Sequence, residues 1–287
     1  MSQPSDTPEA RGRNLYDRGN TVAFACKKDP RFSYVMYVPE NLGEADSGPP
    51  ELIVCIHGTG RTNVLYRDSF TEFGRYNNCV VVAPLFPVGV LGDENRSGFK
   101  YIQEADIRYD EVVLAIISEV EARLQQTFPR LLMFGYSGGG HFVHRFAYLH
   151  PERLSAVCVG APGSVTLIDE TRDWWIGTRD IKQRFGSDID MAALRDIEFL
   201  VTVGGADLET WEITHRPGST YWMEGANDAG ATRGERAKTL VDSLKAHGVT
   251  ASLTVVPNVA HDMEGVLHVV KDFFFRQLRK TRGQKQR

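Results

Sequence analysis

No apolar run in this sequence approaches the ~18 residues that a membrane-spanning helix needs, because polar or charged residues interrupt each one early. No membrane partner is therefore expected. The opening stretch MSQPSDTPEARGRN has no apolar centre, so it does not read as a secretory signal. Cysteine is scarce. Cys26, Cys55, Cys79 and Cys158 form no CxxC pair, and at least three of them lie in apolar, strand-like runs. That pattern argues against a disulfide framework or a zinc site. It predicts buried free thiols and a cytoplasmic location. Positive charge is not in excess: 33 Lys and Arg stand against 37 Asp and Glu, a net charge of −4. Nucleic acid is not an expected partner, because binding it wants a basic face. The basic run RKTRGQKQR at the C-terminus is short and is expected to be a solvated tail.

Composition breaks, linkers and internal repeats are also missing, which favours one domain over two in a chain of 287 residues. The expected domain spans 19–278, between a frayed polar segment at 1–18 and the basic tail at 279–287. Hydrophobic residues make up 42% and charged residues 24%, a globular composition that excludes a disordered chain. Two short strand signals, Thr21–Cys26 and Ser33–Val38, flank KKDPRF in a hairpin pattern. The turn-formers NLGEADSGPP at 41–50 predict a surface loop. Then come short, nearly continuous apolar runs at Glu51–His57, Cys79–Ala83, Leu131–Phe134, Ala156–Val159, Phe199–Val203 and Ser252–Val256. Runs of that kind suit strands buried on both faces of a parallel sheet. Helical periodicity separates several of them, at Tyr109–Leu124, Gly138–His150, Gly234–His247 and Gly265–Leu278. Alternating strands and helices predict an α/β fold with a mostly parallel central sheet. The segment 160–197 has no strong strand signal and reads as an insertion near the active face.

The sharpest chemical feature is Gly135-Tyr136-Ser137-Gly138-Gly139, between a predicted strand and a predicted helix. A serine in G-x-S-x-G at a strand-to-helix turn is a nucleophile elbow. The turn is tight, so glycine is needed where the chain doubles back, and the serine Oγ stands clear of the sheet edge above a helix N-terminus. A nucleophilic serine needs a base, and the base needs an orienting acid. Two later strands run out at the same edge into Gly204-Gly205-Ala206-Asp207 and Pro257-Asn258-Val259-Ala260-His261. Asp207 and His261 are therefore the candidate acid and base, with Glu209 the nearest rival to Asp207. The strand at 51–57 ends in His57-Gly58-Thr59-Gly60. Backbone N–H groups of Thr59 and Gly60, with Gly138, are the candidate oxyanion donors. His57 is expected to brace that loop rather than perform chemistry. His141 and His144 lie three apart on a helix, but no third ligand is near them in sequence, so packing is favoured over a metal site. Tyr136 and the adjacent aromatics Trp174 and Trp175 are candidates for the substrate pocket.

The stretches CIHGTGRT, LLMFGYSGGGHFVHRFAYLHPERL, VGGADLET and VVPNVAHDM resemble the α/β-hydrolase superfamily, and its esterase and polyhydroxyalkanoate-depolymerase-like members in particular. The resemblance runs from about residue 33 over most of the chain. It implies an α/β-hydrolase fold and a Ser137–Asp207–His261 triad. The HGGG motif of the hormone-sensitive-lipase branch is absent. The nucleophile is Ser rather than Asp, unlike haloalkane dehalogenases and epoxide hydrolases. The expected activity is hydrolysis of a small-molecule or oligomeric carboxylic ester through an acyl-enzyme, with no cofactor and no metal. An amide or peptide hydrolase on the same triad, and a non-catalytic binding module of the same fold, are the alternatives.

Overall fold

The computed structural model describes residues 16–43 and 48–285. Residues 1–15, 44–47 and 286–287, which hold most of the expected frayed segment, part of the 41–50 loop and the end of the basic tail, lie outside the described residues. The elements are β1 (Gly19–Asn20), β2 (Phe24–Ala25), β3 (Ser33–Val38), β4 (Glu51–Ile56), α1 (Asn63–Asn77) and β5 (Cys79–Leu85). A small hairpin, β6 (Gln103–Glu104) and β7 (Ile107–Arg108), leads into α2 (Tyr109–Leu124). Then follow β8 (Leu131–Tyr136), α3 (Gly138–Leu149) and β9 (Leu154–Gly160). After two short helices, α4 (Ile181–Phe185) and α5 (Met191–Arg195), come β10 (Glu198–Gly204), α6 (Arg233–Ala246), β11 (Thr250–Val256) and α7 (Met263–Lys285).

The main sheet runs in the order β1-β3-β5-β4-β8-β9-β10-β11, with β2 also paired to β3. From β5 to β11 all neighbours are parallel, and β3 joins β5 antiparallel. Strands β4, β5, β8, β9 and β10 are buried almost throughout, which is why their sequences are continuous apolar runs rather than alternating ones; β11, expected to be buried on both faces, is instead the edge strand, with Ser252 and Val255 exposed. The predicted hairpin is present as β2 and β3.

Strand order places the site. The chain steps from β4 to β5 in one direction, then returns to β8 on the other side of β4. Right-handed crossovers then put α1 on one face and α2, α3 and α6 on the other. Helix α7 touches α1 and covers β8, β9 and β10 from that side. The reversal between β4 and β8 opens a crevice at the carboxyl ends of these two strands, where open α/β sheets bind ligands. Registers such as Ile56 opposite Gly135, Tyr136 opposite Gly160 and Gly204 opposite Val256 bring the strand ends to one edge.

The basic segment from 279 differs from the expected solvated tail, since α7 continues to Lys285. Lys280 Nζ pairs with Glu198 Oε2 at 2.5 Å, and Arg282 Nη2 donates to the Asn77 carbonyl at 2.6 Å, so the last turns are docked on β10 and α1. All four cysteines are buried free thiols. No helix among the described residues is long and apolar enough to cross a membrane.

Candidate active site

Ser137 joins β8 to α3 at φ 55° and ψ −117°, a strained conformation for a residue with a Cβ. Two bonds hold it there: Ser137 N–H donates to the Gly160 carbonyl at 2.8 Å, and its own carbonyl accepts from His141 N–H at 3.1 Å. The flanking glycines are required by space. A Cβ at Gly139 would overlap the Ile56 carbonyl, and one at Gly135 would overlap the Gly139 carbonyl.

Asp207 lies three residues beyond β10, and His261 five beyond β11. Their loops are laced together by Gly205 N–H to the Val256 carbonyl at 2.7 Å and Ala206 N–H to the Val259 carbonyl at 2.8 Å. The result is a 2.6 Å hydrogen bond between His261 Nδ1 and Asp207 Oδ2. Asp207 is 3% exposed. With Nδ1 bound to the acid, Nε2 is the nitrogen left to serve a nucleophile. The His261 ring packs 5.2 Å from the ring of Tyr136, the residue before Ser137. Glu209, the rival acid, is exposed, and what it offers Arg233 is its backbone carbonyl.

Arg233 was not visible as a site residue in the sequence. It opens α6 behind a capping box, with Thr232 Oγ1 accepting from Glu235 N–H and the Glu235 carboxylate accepting from Thr232 N–H. A cation at a helix N-terminus is unfavourable. Here two carboxylates offset it: Arg233 Nη1 binds Asp207 Oδ1 at 2.9 Å, and Nη2 binds Glu212 Oε2 at 2.5 Å. Burial works to raise the Asp207 carboxyl, but the His261 hydrogen bond and the Arg233 guanidinium outweigh it and hold the group below its ordinary value.

The loop after β4 is tied down from several sides. Gly58 N–H donates to the Tyr66 hydroxyl at 3.1 Å, and Arg61 Nη1 takes the Thr59 carbonyl at 2.7 Å. His57 is fully buried, accepts from Phe86 N–H at Nε2 and donates to the Gly58 carbonyl from Nδ1. Burial brings its pKa down to about 4, so it is a neutral brace. The N–H groups of Thr59 and Gly138 meet no acceptor among the described residues. They are close together, since a Cβ built on Gly138 would lie 3.2 Å from Thr59 N. Gly60 is exposed and does not border the cavity at Ser137.

No protein-family model and no curated protein sequence matches the chain. Solved structures do match. The chain is similar to a poly(aspartic acid) hydrolase from Sphingomonas sp. KT-1 at 20% identity and TM-score 0.71, over 89% of this chain and 98% of that one. It is similar to a poly(3-hydroxybutyrate) depolymerase from Bordetella parapertussis at 21% identity and TM-score 0.70, over 96% of each chain. An S-formylglutathione hydrolase from Agrobacterium tumefaciens follows at 17% identity and TM-score 0.58, over 91% of this chain and 95% of that one. The fold is that of the α/β-hydrolases.

On this α/β-hydrolase fold, Ser137 opens into a cavity of about 280 Å³. Thr59, Gly163 and His141 form its floor with Ser137, while the loop 86–108 supplies Asn95, Ser97, Lys100 and Tyr101. The loop 205–232 supplies Glu212, Ile213, His215 and Tyr221. Sequence patterning gave no signal for the first of these loops. The insertion 160–197 contributes mainly Gly163. His141 and His144 are structural: His141 Nε2 accepts from Gly163 N–H at 2.7 Å, and His144 Nε2 from Thr166 N–H at 3.0 Å.

Contrary to expectation, Tyr136 does not border this cavity, and neither do Trp174 and Trp175. They are 7% and 6% exposed, and their indole N–H groups donate to the carbonyls of Tyr101 and Tyr221. Both therefore support the aromatic wall from beneath, where Tyr101 stacks on Tyr221 at 4.0 Å. Burying two large rings with their N–H groups satisfied explains the position. Trp174→Ala and Trp175→Ala are each expected to lower stability by about 3–5 kcal/mol, measured by urea unfolding. A loss under about 1 kcal/mol in both would contradict this packing.

Proposed function

We propose that this protein is a serine hydrolase of carboxylic esters. The observation that carries the proposal is the 2.6 Å His261–Asp207 bond at the sheet edge that also holds the strained Ser137 turn. His261 Nε2 takes the Ser137 proton as Oγ bonds to the acyl carbon. The Thr59 and Gly138 N–H groups receive the oxyanion. The ester C–O bond then breaks, and His261 passes its proton to the departing alcohol. Water, deprotonated by His261, releases the acid and regenerates Ser137. The three solved relatives named above are called hydrolases or depolymerases of acyl compounds, which supports the reading. Likeness to a poly(aspartic acid) hydrolase favours amide hydrolysis as the second reading.

The test is labelling with a fluorophosphonate, mapped by mass spectrometry, followed by a panel of 4-nitrophenyl esters. Modification confined to Ser137, with ester turnover that EDTA leaves unchanged, is expected. An intact but unlabelled Ser137 in folded protein, or activity lost to chelator and restored by a metal ion, would overturn the assignment.

A further inference from the structure

The cavity at Ser137 is built for a charged ligand rather than a plain acyl chain. Polar and ionic groups dominate its lining, with Ile213 the lone aliphatic side chain there. Its acids are already engaged. Asp207 and Glu212 both bind Arg233, and Glu104 behind the wall is taken by Asn95 and the Tyr109 hydroxyl. Lys100 is different. It is carried into the lining by the 3₁₀ turn Gly98–Tyr101, and no acceptor among the described residues meets its Nζ. Its Cε would lie 3.1 Å from a Cβ built on Gly138, so the ammonium stands next to the oxyanion loop and the nucleophile.

Cations behind the wall reinforce this charge. Arg61 is held by the carbonyls of Thr59, Phe86 and Arg96. Arg145, fully buried, is held by the Ser164 and Thr166 hydroxyls and the Lys100 and His141 carbonyls. Arg236 binds the carbonyls of Gly163, Ile213 and Gly230 and the side-chain oxygen of Asn227. None of the three has a carboxylate within ion-pair distance among the described residues. The cavity histidines register this surplus. Burial, then Arg236, Arg145 and Lys100, bring His215 down to about 4, and burial with Lys100 and Arg145 puts His141 well below its ordinary value. Burial lowers Lys100 itself to about 8, which leaves it mostly charged at neutral pH. A half-desolvated ammonium whose neighbouring carboxylate, Glu212, is already bound to Arg233 is costly unless a ligand supplies a counter-ion.

We propose that Lys100 anchors an anion subsite beside Ser137, and that the substrate is an ester bearing a carboxylate close to the scissile carbonyl. The proposal rests on the ester-hydrolase reading above and adds the substrate class. One unpaired ammonium beside Glu212 matches a single negative charge, hence a carboxylate rather than a phosphate monoester. The carboxylate can belong to the acyl part or to the alcohol part, and matched pairs separate the two. One pair is a 4-nitrophenyl ester of a short dicarboxylic acid and its terminal carboxamide. The other is the acetate ester of 4-hydroxybenzoic acid and that of its amide, each corrected for its rate with hydroxide. In at least one pair, kcat/KM is expected to favour the acid by about 10- to 100-fold, the range for a hydrogen bond to a charged group. Lys100→Met should bring that ratio near one, and Lys100→Arg should keep most of it. A wild-type ratio near or below one in both pairs, or an unchanged ratio in Lys100→Met, overturns the subsite.

Binding reads the same site without turnover. Glutarate should raise the melting temperature of wild type more than glutaramide does, and equal shifts overturn the proposal even if Lys100→Met does not fold. Unlabelled Ser137 with selective glutarate binding would instead sink the ester-hydrolase reading and leave the subsite standing.

Discussion

Ser137→Ala is expected to lower kcat/KM for esters by about 10⁵-fold or more, while leaving the far-UV spectrum and the cavity intact. Removing the nucleophile of a working triad costs on that order, because base and acid do nothing without it. Stability should stay close to wild type, since alanine carries the same Cβ into the same φ of 55°. Ser137→Gly supplies a sharper control. It should be equally inactive but melt no lower than Ser137→Ala. Relief of backbone strain is worth about 1–3 kcal/mol, whereas glycine's extra freedom in the unfolded chain costs about 0.4–1 kcal/mol. Activity within tenfold of wild type in either variant would remove Ser137 from the mechanism. An alanine variant clearly more stable than the glycine one would contradict the strain assigned to the turn.

The fold was legible wherever burial is two-sided and local. Each of the six apolar runs became a parallel strand; five are buried on both faces, where continuous Val, Ile and Leu belong, and the sixth, β11, is the sheet's partly exposed edge. Tyr109–Leu124 is helical over its whole predicted span because its apolar stripe is unbroken. Helix α1 left no clear periodic signal, for the opposite reason. Its buried positions include Asn63, Arg67 and Gly74, so only Tyr66 and Phe70 mark the stripe, and Arg67 is buried by hydrogen bonding to the Thr21 and Met36 carbonyls. Ser137, Asp207 and His261 stood out because each follows a recognisable strand. Lys100 and Arg233 did not, because their roles depend on loops of more than twenty residues folding back across the sheet edge. Nothing in a local pattern says which lysine will lack a partner. The tryptophan pair shows the limit in reverse: composition marked it as important, and only packing assigns it to the support beneath Tyr101 and Tyr221.

Asp207→Asn should cost both chemistry and stability, and the two losses should separate. In the best-studied triad this exchange lowers kcat about 10⁴-fold by presenting the wrong histidine tautomer. The same is expected here, because His261 Nδ1 would face an amide able to donate as well as accept. The stability loss has another source. Asp207 and Arg233 form a pair with both side chains almost wholly buried, and breaking such a pair costs about 3–5 kcal/mol by leaving a charge uncompensated. Arg233→Gln should therefore destabilise about as much as Asp207→Asn while lowering kcat far less, since His261 keeps its acid. The double variant should lose less than the sum of the two, a coupling that urea unfolding can read. Acid gives an independent check with a definite sign. The Asp207 pKa is lowered in the folded protein, so its stabilising contribution is present above the unfolded-state value and is lost as pH falls through the folded one. The stability gap between wild type and Asp207→Asn should be full at pH 7 and shrink below about pH 4. A gap that stays constant down to acid unfolding would show that ionised Asp207 is not the source of the stability loss, and an Arg233→Gln variant as inactive as Asp207→Asn would show that the guanidinium serves the chemistry and not merely the burial of the acid.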